Sequence, residues 1–127
     1  MKTVRSLDIL LLLLPAILLP AILLFAFGFF AKTTEEYACT LQMARQSPQV
    51  AAVTGEPLTP GLFAWMPYFE SGGGLRQGAF FTKLSGPAGR GTLRAEFYRA
   101  PIGATLYITF KSGGEEKVIY DGAYPCP

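Results

Sequence analysis

The sequence predicts an α+β protein: an N-terminal transmembrane helix, then two helices packed on a four- to five-stranded antiparallel meander sheet. Three observations carry this expectation. Residues 9–31, ILLLLLPAILLPAILLFAFGFFA, contain no charge. Apolar residues then recur at helical spacing, and beyond Pro57 and Pro60 the period of alternation changes to two.

The apolar run has 23 residues, and at 1.5 Å per residue it extends about 34 Å, enough to cross a hydrocarbon core of roughly 30 Å. A secretory signal is the competing reading, because Lys2 and Arg5 precede the run. Signal cores span only about 7 to 15 residues, however, and the clearest small-residue pair, Ala26 and Gly28, lies inside the run. An uncleaved anchor is therefore expected, with Pro15 and Pro20 kinking the helix or loosening its hydrogen bonds. Lys2 and Arg5 lie before the span, and Lys32 follows it together with Glu35 and Glu36, which gives a thin positive-inside bias. The expected organisation is a cytoplasmic N-terminus at 1–8, an anchor at 9–31 and an extracytoplasmic domain at 32–127. The cell inner (plasma) membrane is the expected location.

In the exported part, Tyr37, Leu41 and Ala44 share one face of a helix that continues out of the membrane. Ser47-Pro48 has the form of a helix start, serine as N-cap and proline at the first helical position, and Gly55 ends that short helix. Strand alternation follows at 80–84, 93–98 and 104–110, with a last run at 117–120 and a leading candidate at 63–69. Gly72-Gly73-Gly74 marks a floppy loop between the first strands. One apolar sheet face must be covered, and the two helices are the available cover.

Composition excludes several functions. The chain has no histidine, which removes a histidine-based triad, a histidine-ligated zinc and an imidazole base. The exported part is close to neutral without a basic patch, so nucleic acid is not an expected partner. In the glycine-rich stretch KLSGPAGRGTL the last glycine is not followed by the Lys-Ser/Thr pair that ends a phosphate loop, and TLRAEFY alternates as a strand, so it forms a hairpin connection.

Tyr37, Pro48, Gly55 and Pro57, followed by a sheet containing Gly86, Pro87, Gly91 and Leu93, resemble the cytochrome oxidase complex assembly protein Coa1 family. That family combines an N-terminal membrane helix with a small exported α+β domain related to the import component Tim21. The resemblance implies a non-enzymatic, membrane-bound factor in biogenesis of a respiratory oxidase, without a cofactor, whose partners are oxidase subunits or other assembly factors. The chain departs from the family pattern at residues 101–104, PIGA, where members often carry a tryptophan, and has its one tryptophan at Trp65. An anchored envelope module with a different client, such as a translocase or envelope complex, is the alternative.

Cys39 and Met43 fall away from the Tyr37, Leu41 and Ala44 stripe, beside Gln42 and Gln46. Three readings of the cysteines stay open: a Cys39–Cys126 disulfide, two unpaired structural thiols, or copper(I) held by Cys39 and Met43 as soft ligands one turn apart. Within LFAWMPYF, Trp65, Tyr68 and Phe69 are candidate partner contacts, set against a buried strand and turn. Arg90, Arg94, Glu96 and Arg99 are expected on a hairpin turn and a solvated sheet face.

Overall fold

The computed structural model describes residues 2–127, and their side chains from residue 6 onward. Helix α1 (Lys2–Phe30) runs unbroken through Pro15 and Pro20. The segment Ser6–Thr33 is long and apolar enough to cross a membrane, and large apolar side chains from Leu7 to Phe27 are exposed along it.

A 3-10 turn (Ala31–Thr33) separates α1 from α2 (Glu35–Gln46), so the second helix does not simply continue the first. Thr34 explains the break. Its extended backbone leaves the helix, its side chain accepts from the Tyr37 N–H as an N-cap, and its hydroxyl donates to the Ala31 carbonyl at 2.6 Å. Glu35 and Glu36 then occupy the first turn, where the helix dipole favours negative charge. Ser47 ends α2 and caps α3 (Pro48–Thr54), accepting from the Val50 N–H, with Pro48 in the first turn. Gly55, at φ 70°, closes α3 in a region that favours glycine.

The sheet is a five-stranded antiparallel meander in the order β1 (Thr59–Gly72), β2 (Leu75–Ser85), β3 (Arg90–Ala100), β4 (Gly103–Ser112) and β5 (Glu115–Ala123). The expected floppy loop at Gly72–Gly74 is instead a tight hairpin. Gly73 and Gly74 have φ 60° and 82°, and Gly113 and Gly114 repeat the geometry at 61° and 81°, the positive values that match the twist of paired strands. The 63–69 candidate is the middle of the longest strand, β1, whose register shifts at Pro60/Ala64 and at Trp65/Tyr68.

One sheet face packs under the helices. Phe80, Leu84, Leu93, Leu106 and Ile108 are fully buried there, each stabilising the fold by about 1.5–3 kcal/mol. They join Tyr37, Ala44 and Val50 in one cluster.

Cys39 and Cys126 are joined by a disulfide with Cα atoms 5.9 Å apart, fastening the C-terminal tail to α2. Cys39 is therefore no half of a copper(I) pair with Met43 in this state, nor is it set off from the core. It is buried, and Met43 packs partly against the same cluster. The buried face of α2 is centred between the two stripes, on Glu36 and Thr40, both fully buried.

Candidate functional site

The end of α1 is built into the domain. Gly28 is buried, and a Cβ there would run into the Phe63 ring of β1. Small size at this position lets the strand approach the helix. The Phe63 ring lies edge-on to Phe25 and Phe29, with centroids at 5.3 and 5.6 Å, and Trp65 follows at 5.4 Å from Phe63. The Lys32 ammonium donates to the Gly61 carbonyl and lies 5.8 Å from the centre of the Phe29 ring. Ala31 is fully buried in the core cluster. Helix and sheet thus meet through a packed aromatic joint.

The three candidate contact residues divide between the faces. Trp65 pairs with Phe81 and Tyr68 with Ala79, and both lie on the face away from α2 and α3. Trp65 is half-buried, beside a cleft of about 300 Å³ shared with Phe27, Met66, Pro67 and Phe81. Tyr68 is 50% exposed and its hydroxyl donates to Glu70 at 2.8 Å. That bond and the Glu70 charge hold the phenol pKa above its ordinary value. Phe69 points the other way, between Phe30 at 5.5 Å and Phe97 at 6.4 Å, so packing rather than an open surface occupies it.

Of the motif residues, Gly55, Gly86 and Pro87 meet where the β2–β3 hairpin reaches the end of α3. The Ala88 N–H donates to the Thr54 carbonyl at 2.9 Å, satisfying one of the carbonyls that α3 leaves unpaired at its end. A Cβ on Gly55 would face Ala88 and Pro87, and one on Gly86 would strike the Thr54 carbonyl. Gly91 leaves room for the Phe110 ring, and Leu93 is buried. Tyr37 packs with its ring tilted against Phe80, centroids 5.8 Å apart, and burial pushes its phenol pKa up. Pro57 follows a cis peptide bond after Glu56. GPAGRG is therefore a hairpin connection that docks on α3.

One cluster has no counterpart in the sequence reading. Arg76 Nε and Nη2 donate to the two carboxylate oxygens of Glu36 at 2.7 and 3.0 Å, and Arg99 Nη1 reaches Glu36 and Glu35 at 3.2 Å each. Arg99 is thus not a solvated outer residue: it lies 4.3 Å over the Tyr124 ring. Burial pushes the Glu36 carboxyl up, but the Arg76 hydrogen bond and charge, with Arg99, more than reverse this and hold it below the usual range. The partners lie 40 and 63 positions away, a separation that local pattern does not reveal.

On the face away from α2 and α3 the sheet carries Phe81, Tyr98, Tyr107 and Val118, each more than a third exposed. A hollow of about 300 Å³ on this face is lined by Pro67, Phe81, Arg94, Thr109 and Lys111 among others. No group of three or more His, Cys, Asp or Glu side chains suited to a metal ion occurs among the described residues.

Fold and surface define a class: a small disulfide-linked α+β domain fused to an apolar helix, with an aromatic joint and one uncovered sheet face. No protein-family model, curated protein or solved structure matches the chain.

Proposed function

We propose that the protein is a single-pass, membrane-anchored, non-enzymatic assembly factor resembling Coa1, acting in biogenesis of a respiratory cytochrome c oxidase through protein contacts. The supporting observation is the joint between α1 and β1. Buried Gly28 and Ala31 tie the end of the apolar helix to the core, a construction suited to a retained anchor rather than a discarded leader. The joint holds the uncovered sheet face at a set orientation to the bilayer, as a module that presents a surface to a client needs.

The disulfide supports an oxidising, extracytoplasmic location for residues 32–127, and Lys2 and Arg5 before the span favour a cytoplasmic N-terminus. The proposal sets the anchor in the inner (plasma) membrane. Client contact falls to exposed aromatic groups of the outer face, Tyr98 and Tyr107 foremost, because a few such anchors dominate protein interfaces.

Affinity purification from mildly solubilised membranes tests the reading. Oxidase subunits or their assembly factors should co-purify, and a Tyr98→Lys, Tyr107→Lys double variant should lose them while remaining folded and anchored. Unchanged oxidase activity after deletion of the gene, with translocase or envelope components recovered instead, would replace this client with the alternative one.

A further inference from the structure

We propose that the first half of β1 is seated in the membrane interface, with Leu62, Phe63 and Trp65 in lipid and Lys32 and Lys83 at the level of the headgroup phosphates. The proposal rests on α1 being a membrane anchor, and the depth follows from helix geometry. The charge-free run of 23 residues exceeds a hydrocarbon core of roughly 30 Å by only about three residues. Even if all that slack lies at the C-terminal end, the core extends to about residue 28, and tilt consumes the slack and carries the helix end deeper. Phe25 is then below the boundary, and the Phe63 ring is packed 5.3 Å from it. While the joint stays packed, the Phe63 ring sits at the depth of Phe25 and Phe29.

The neighbouring residues suit that depth. Leu62 is 62% exposed although large and apolar. Trp65 carries an apolar ring with a polar N–H, the side chain enriched at membrane interfaces. The stretch from residue 59 to 69 contains no acid, and Lys83 borders the same hollow as Leu62, Phe63 and Trp65. The backbone is prepared as well. β1 is an edge strand whose register breaks between Pro60 and Ala64, and carbonyls freed by such a break have no water partner near hydrocarbon. Two carbonyls of that segment are satisfied from within the protein: Gly61 by the Lys32 ammonium, and Phe63 by the Thr82 hydroxyl at 2.9 Å.

Trp65 is the only tryptophan, so its fluorescence reads the depth directly. The full chain is reconstituted into phosphatidylcholine vesicles whose acyl chains carry bromine either near the carbonyl end or midway. Bromine near the carbonyl end should remove about half of the emission or more, bromine midway less, as a tryptophan at the interface requires. Leu62→Trp in a Trp65→Phe background should be quenched in the same order, and Tyr107→Trp in that background should not be. Emission from both Trp65 and the Leu62→Trp variant that is unaffected by bromine at either depth, in protein that floats with the vesicles, would overturn the proposal and leave the anchor standing. Protein that fails to float would overturn both.

Discussion

Glu36→Gln removes one negative charge from the centre of the α2 face while keeping its shape. The native carboxylate is fully buried and takes three charged N–H bonds, at 2.7 and 3.0 Å from Arg76 and 3.2 Å from Arg99. A glutamine oxygen can accept from one guanidinium, but its amide N–H groups then oppose the other donor. Charge-assisted bonds contribute about 1.5–3 kcal/mol each and neutral ones about 1. The Arg76 and Arg99 side chains are 39% and 25% exposed and can regain water, so the low end applies, about 2–3 kcal/mol. In a domain of this size each kcal/mol moves Tm by about 4–8 °C, which gives a drop of roughly 10–20 °C in thermal unfolding followed by near-UV circular dichroism. Arg76→Met should cost a similar amount, and the double variant less than the sum of the two. The pH dependence has a definite sign. Because the native carboxyl titrates below its ordinary value, its contribution is present above about pH 4.5 and is lost as pH falls through the native pKa. Glu36→Gln should lack that share of the acid slope. A Tm within about 3 °C of wild type, with the slope intact, would refute the assignment of this cluster as a structural centre.

Cys126→Ser opens a bond between residues 87 positions apart. The loop-closure estimate gives a loss of up to about 4.5 kcal/mol, visible as a lowered Tm and as the disappearance of the mobility difference between reduced and non-reduced samples. Maleimide labelling of both wild-type thiols in the native compartment would contradict the disulfide. Gly28→Leu should displace Phe63 at a cost of about 1–3 kcal/mol. It should also speed tryptic cleavage after Lys32 about tenfold or more in membranes, since that lysine is held on Gly61 only while the joint is closed.

What the sequence revealed was local. Ser47-Pro48 and Gly55 mark α3 because capping chemistry acts within four residues, and two-residue alternation marked β2 to β4 because one face is dry. What local pattern hides above all is pairing at a distance. Tyr37, Leu41 and Ala44 are only one edge of the α2 face, whose centre is a glutamate made tolerable by arginines on β2 and β3. Cys39, on the opposite edge, lies off that stripe and is buried all the same. Thr34 could have been read as a cap between two helices, since threonine followed by two glutamates is an N-terminal signature. The α1–β1 joint left almost no trace, because both sides are apolar runs. Its one mark is Gly28 among large side chains.

The most direct test of a helix built into its domain is the intact mass of the chain isolated from its native membranes. The expected product is membrane-bound, retains residues 9–31 and is two hydrogens lighter than the reduced chain, as the Cys39–Cys126 bond requires. A product beginning after Gly28 or Ala31, recovered free of the membrane, would contradict it.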